Sequence, residues 1–214
     1  MIQNFGQKFD AEMFYNARDV AREITYELAS SIQPGMTEDD AHKLYKDICS
    51  RSGVVKNWHP AKLRFGPNTL KAFKEKSDPY TLQENDIFFL DIGPIIYDHE
   101  ADYGETFVLG NNPEHLKIKD ATKTLFQDVQ KYWKENNKNG PELYIWAENR
   151  AKELGYNLNL GADGHRIGDF PHHIFFKGAI TECPEEILPN AWILEIQLES
   201  LDKQFGAFFE DILR

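Results

Sequence analysis

The alternation of helical and strand-like periodicity predicts an α/β chain, of the α+β kind, built as two related halves that share one sheet with helices outside. Two observations predict it. Paired amphipathic segments, each pair broken at Pro/Gly and closed by Gly, are followed by strand-like runs, and this order occurs twice, offset by roughly a hundred residues. Gly35 then answers to Gly140 and Gly53 to Gly155, and no linker or low-complexity tract separates the halves. Such halves bury their apolar faces most simply in one common sheet.

Taken in order, Met13, Ala17, Val20, Ala21, Ile24 and Leu28 recur at helical spacing between about Asp10 and Ile32. Pro34-Gly35 ends that helix. Thr37, with Asp40 three residues on, caps a second helix that turns Ala41, Leu44, Tyr45 and Ile48 inward until Gly53. Residues 54–68 are strand-friendly but punctuated by Pro60, Gly66 and Pro67, which predicts a bent strand or hairpin. After a polar connection, Asp86-Ile87-Phe88-Phe89-Leu90-Asp91 reads as a buried strand, and Thr106-Phe107-Val108-Leu109 continues another begun near Asp102.

The second half opens with Ile118, Ala121, Leu125, Val129 and Trp133 at helical spacing, broken by Asn139-Gly140-Pro141. Pro141 suits the first turn of a further helix carrying Leu143, Ala147, Ala151 and Leu154, closed by Gly155. Strands return at Trp192 to Leu198 and at Ala207 to Leu213.

Length and charge narrow the function. With 214 residues, 41% of them hydrophobic, the chain can bury a sizeable core without staples. Its 24 basic and 35 acidic residues leave a net charge of -11, which argues against nucleic-acid or anionic-membrane partners. Cys49 and Cys183 stand in no metal-type or redox-type spacing, and no segment has the length of a membrane span or the pattern of a signal peptide. The expectation is a cytoplasmic protein with reduced thiols.

Five metal-capable side chains end or interrupt apolar strands: Asp91, Asp102, His165, Glu195 and Glu210. Taken singly, each carboxylate also fits a turn former, a cap or a solvated edge charge, and His165 fits a Gly-flanked loop. Glu195 fits those least, because parity within Trp192 to Leu198 places it on one face with Ile193 and Gln197. Together, four carboxylates and one imidazole suit two hard or borderline divalent ions such as Mn²⁺, Co²⁺, Fe²⁺ or Zn²⁺.

Asp91 and Asp102 eleven positions apart, followed by His165, Glu195 and Glu210, resemble the pita-bread metallopeptidase family, which includes methionine aminopeptidase, aminopeptidase P, prolidase and creatinase. The resemblance covers residues 10–214, including Pro34-Gly35-Met36-Thr37-Glu38. It implies a curved, mostly antiparallel sheet in one catalytic domain over 1–214, without the separate N-terminal domain of prolidase and aminopeptidase P. It also implies two divalent ions, Mn²⁺ first among the candidates. Asp91 would bind one ion, Asp102 and Glu210 would bridge both, and His165 and Glu195 would complete the other. A hydroxide bridging the ions would attack, with Glu195 shuttling its proton.

By the same resemblance His172 would hydrogen-bond the scissile carbonyl, with the adjacent His173 as a rival. The stretch Trp58-His59-Pro60 to Asn68-Thr69 resembles the substrate-side hairpin of aminopeptidase P and prolidase, which tilts the substrate toward Xaa-Pro peptides and makes His59 a candidate wall of the pocket. Three positions depart from the pattern: Phe73 where a histidine is usual, Glu105 where Arg or Lys is, and Ile196 where Pro is. These keep two alternatives in view, a creatinase-like hydrolase of non-peptide C–N bonds and a non-catalytic peptide- or protein-binding module. A homodimer that walls the pocket is a further expectation. His42, His99 and His115 stand in polar or helical contexts and are expected to be solvated.

Overall fold

Two capping boxes set the helical frame. In a computed structural model that describes residues 2–172 and 175–214, the Thr37 and Asn139 side chains accept from the N–H groups of Asp40 and Glu142, whose carboxylates return to the caps' own N–H groups. The helices are α1 (Ala11–Ser31), α2 (Glu38–Arg51), α3 (Pro113–Asn136) and α4 (Gly140–Glu153). Gly53 and Gly155 follow the shorter helices at φ of 73° and 87°, where a side chain would be strained. Gly140 is needed for a different reason than Gly35. A Cβ there would lie 1.6 Å from the Ile180 carbonyl oxygen.

The strands are β1 (Lys62–Phe65), β2 (Ile87–Ile92), β3 (Ile95–Ile96), β4 (His99–Glu100), β5 (Tyr103–Val108), β6 (Asn157–Leu158), β7 (His165–Arg166), β8 (Trp192–Glu199) and β9 (Gly206–Ile212). Among the described residues the main sheet runs β1-β2-β5-β9-β8-β6, with β7 also on β8, and its neighbours pair antiparallel. The repeat is therefore real in space. Each helix pair precedes three strands of the path β1-β2-β5-β9-β8-β6, and the two triplets meet where β5 pairs with β9. Ile24, Leu28, Ala41 and Tyr45 of the first helix pair pack on Phe88, Leu90 and Ile92 of β2. Ile118, Leu125, Leu143 and Ala147 of the second pack on Leu194, Ile196 and Leu198 of β8. Alternation then turns Asp91 and Glu195 to the opposite face.

Several sequence expectations need correction. Met13 is 44% exposed and Phe14 is buried in its place, because the packed stripe of α1 lies one residue further round. Of the bent strand or hairpin expected over 54–68, the structure forms a single strand, β1, followed by a 3-10 turn at Gly66–Leu70, and the strand-friendly Val55 stands in solvent. The tight hairpin is instead β3 with β4, turned at Tyr97 and Asp98, whose φ values of 53° and 57° suit a primed turn. His99 and His115 are buried rather than solvated. His99 Nε2 accepts from the Asp10 N–H at 2.9 Å and its Nδ1 lies 2.7 Å from the Tyr97 carbonyl, while His115 packs edge-on against Phe205. No helix among the described residues is long and apolar enough to cross a membrane.

Buried polar pairs tie the helices to the sheet. Glu105 accepts from the Tyr103 hydroxyl at 2.6 Å and the Tyr26 hydroxyl at 2.9 Å and pairs with Lys123, joining α1, β5 and α3. Arg18 of α1 forms a two-pronged pair with Asp211 of β9, both side chains about nine-tenths buried. Arg18→Ala would leave Asp211 buried and uncompensated, an expected loss of about 3–5 kcal/mol. A urea unfolding curve checks this, and a midpoint unchanged from wild type would refute it.

Candidate metal centre

Strand register assembles the site. Asp91 pairs with Gly104, Gly104 with Glu210, and Glu210 with Glu195, so these four positions form one row across β2, β5, β9 and β8. Side chains in such a row share a face. Three are carboxylates and the fourth has no side chain. A Cβ on Gly104 would lie 2.5 Å from the Phe208 ring and 2.6 Å from Glu210 Oε1, so glycine is what lets Glu210 lie across the row. Asp102, fully buried, enters from the two-residue connection between β4 and β5. His165 enters from β7, which approaches β8 at Gly164, where a Cβ would meet the Ile193 carbonyl oxygen at 2.4 Å.

The structure thus brings the five sequence candidates together around one cleft of about 540 Å³. His59 belongs with them, deeper than a pocket wall: its Nε2 is 3.3 Å from Asp102 Oδ1 and 3.5 Å from Asp91 Oδ1. His165 Nε2 is 2.9 Å from Asp102 Oδ2 and 3.5 Å from Glu195 Oε1. His172 lines the same cleft, with its Nδ1 against the buried carboxylate of Glu100, which also accepts from the His172 N–H at 3.2 Å. His173 lies outside the described residues.

Three contributors escaped the sequence reading. Trp58 donates its indole N–H to the Ala101 carbonyl at 3.0 Å and faces His59, His165 and His172 at ring separations of 4.4, 4.9 and 5.1 Å. Glu100 orients His172, and Gly104 makes room for Glu210. Apart from the contact of Trp58 with its neighbour His59, each acts through partners far away in sequence, so no local pattern marks its role. Phe73 does line the cleft, against His59 and beneath the Lys62 ammonium.

The charges explain what the row needs. Burial pushes the Glu195 carboxyl up to about 8 and, with the nearby charge of Asp102, the Asp91 carboxyl up to about 6. Burial also raises Glu210 well above the usual range. For Asp102 burial is outweighed by the two imidazoles, which hold it at about 2. For His59 and His165 burial is likewise outweighed, here by the surrounding carboxylates, and both rise to about 9. Four carboxylates face two imidazoliums, and without an ion the excess is met by protons held on Glu195 and Glu210. Asp91 Oδ1 and Glu210 Oε1 are buried without a hydrogen-bond partner, a cost that a cation would relieve. Donor atoms of His59, Asp91 and Asp102 converge within 4.8 Å, as do those of Asp102, His165 and Glu210. Oxygen donors with imidazole fit divalent ions of the Mn²⁺ to Zn²⁺ series.

Comparisons with known proteins agree with this geometry. The chain resembles in fold the X-Pro aminopeptidase of Thermotoga maritima (TM-score 0.75, 18% identity, 97% of this chain and 62% of that one). It is similar also to the prolidase of Pyrococcus furiosus (TM-score 0.76, 19% identity, 99% and 62%). A third likeness is to the Xaa-Pro dipeptidase of Bacillus anthracis (TM-score 0.76, 16% identity, 94% and 56%). The chain therefore spans somewhat over half the length of these structures. No curated protein matches significantly. The model of metallopeptidase family M24 matches residues 12–213, nearly the whole chain. With its helix-backed antiparallel sheet and its carboxylate row, the chain belongs to metallopeptidase family M24.

Proposed function

We propose that this chain is the catalytic domain of a dinuclear metal-dependent hydrolase that cleaves Xaa-Pro peptide bonds, as an aminopeptidase or a dipeptidase, in the cytoplasm. The observation that carries this reading is the buried carboxylate row with uncompensated oxygens opening onto a single cleft. The names of the similar structures support the Xaa-Pro preference. Asp91 would hold one ion, Asp102 and Glu210 would be shared between the two, and His165 and Glu195 would complete the other, with Mn²⁺ the first candidate and Co²⁺, Zn²⁺ or Fe²⁺ the alternatives. When bound, two such ions supply Lewis-acid polarisation of a carbonyl and a water that ionises near neutral pH.

The chain's own residues supply the rest. Glu195 takes a proton at its carboxylate and returns it to the departing proline nitrogen, which leaves poorly unless protonated. His172, oriented by Glu100, donates to the substrate carbonyl oxygen as charge develops there. Trp58 and Phe73 give the cleft apolar surface on which a prolyl ring can rest.

Phe73 on the cleft wall, where the family pattern usually has a histidine, favours one second reading, a creatinase-like hydrolase of non-peptide C–N bonds. A panel of Xaa-Pro dipeptides, Xaa-Pro-Xaa tripeptides and small amidines, assayed with Mn²⁺ and with chelator, tests both. Mn²⁺-dependent Xaa-Pro cleavage is expected. Cleavage of amidines alone would favour the second reading, and a protein that holds no metal and cleaves nothing would make the chain a binding module.

A further inference from the structure

We propose that His59 is a sixth protein ligand of the metal centre, so that each of the two ions carries one imidazole. The assignment rests on the dinuclear reading above and adds a donor to it.

Position is the first argument. Two donors about 2.1 Å from a common ion, at angles between square and tetrahedral, stand about 3.0–3.4 Å apart. His59 Nε2 stands 3.3 Å from Asp102 Oδ1 and 3.5 Å from Asp91 Oδ1, and His165, the histidine of the five-residue pattern, stands 2.9 Å from Asp102 Oδ2 and 3.5 Å from Glu195 Oε1. The two histidines meet their carboxylates at similar spacings, 2.9–3.5 Å.

Orientation is the second. A metal-binding imidazole is held by donation of its other N–H, often to a backbone carbonyl. His59 Nδ1 lies 3.0 Å from the carbonyl of the next residue, Pro60, and His165 Nδ1 lies 2.8 Å from the carbonyl of the next residue, Arg166. Either contact leaves Nε2 as the atom aimed at the carboxylates.

The third argument is the pseudo-symmetry of the sheet. His165 sits on β7, beside β8 and its Glu195. His59 sits on the chain leading into β1, beside β2 and its Asp91, where Trp58 N–H donates to the Gly93 carbonyl at 2.9 Å. The two imidazoles occupy matching places in the two halves. Gly93 keeps this place open, since a Cβ there would lie 2.0 Å from His59 Cδ2. With His59, the ion held by Asp91 gains a nitrogen donor in an otherwise oxygen set, which shifts its preference toward borderline ions such as Zn²⁺ and Co²⁺.

X-ray absorption on the zinc-loaded wild-type chain tests this without reference to turnover. About one imidazole per zinc is expected with two zincs bound, falling to about half in His59→Phe. Calorimetric zinc titration should show one of the two sites weakened in His59→Phe by more than the 10–100-fold that losing an outer partner costs. His59→Gln, which keeps a polar side chain of similar reach, should weaken that site while circular dichroism stays unchanged. Two zincs at about half an imidazole each in the wild type, or unaltered affinities in both variants, would overturn the assignment and leave the dinuclear reading standing. A wild-type chain that binds no zinc would overturn both.

Discussion

Asp102→Ala is expected to keep its fold and to lose turnover by about a thousandfold or more in a Mn²⁺-supplemented assay, the equivalent of roughly 4 kcal/mol of transition-state stabilisation. Asp102 is the carboxylate that both imidazoles share, at 3.3 Å from His59 and 2.9 Å from His165. It enters from the connection between β4 and β5 and takes no place in the strand ladder, so its removal opens no gap in the hydrogen-bonded sheet. Asp102→Asn separates charge from volume, since it keeps the shape and removes the anion. Both variants should bind fewer ions by elemental analysis while their circular dichroism matches wild type. Undiminished hydrolysis with full metal content would sink the proposed bridging role.

A second large effect concerns pH. In the metal-free chain Glu195 and Asp91 titrate at about 8 and about 6, above their ordinary values of 4.5 and 3.8. They bind protons more tightly folded than unfolded, so the stability they add is present below the ordinary values and is lost as pH rises through the raised ones. His59 and His165 add stability that is present below 6.5 and lost as pH rises through about 9. Asp102 has the opposite sign, but its contribution is lost only as pH falls from 3.8 toward about 2. The chelated protein should therefore melt at steadily lower temperature as pH rises from about 5 to about 9.

Divalent ions replace those protons, so the gain in melting temperature on adding Mn²⁺ should grow over the same range, with proton release measurable in weakly buffered titrations. A chelated protein whose melting temperature is flat across that range would contradict the charge balance of the row.

Much of the architecture was written in local signals. Thr37 and Asn139 carry cap chemistry within three residues, and Asp91 and Glu195 break apolar runs in strands of six and eight residues. What escaped depends on distant partners. Glu100 has meaning only beside His172, and its strand of two residues is too short to show a period. Gly104 is legible only once β9 lies beside it. His99 and His115 look polar in sequence, yet a backbone N–H and an aromatic ring from elsewhere make burial favourable. The substrate was the least legible feature, because the cleft wall is drawn from separate segments and one change, Phe73, alters it without touching the carboxylates.

The seam between β5 and β9 has a consequence for the order of folding. The donors run from Asp91 and Asp102 on one side to Glu195 and Glu210 on the other, contacts that close loops of a hundred residues or so and form late for entropic reasons. Each half brings three of these donor residues, His59, Asp91 and Asp102 on one side and His165, Glu195 and Glu210 on the other, and the convergence of Asp102 with His165 and Glu210 exists only once the halves meet. The full donor set is thus complete only when the last strand zips onto the first half.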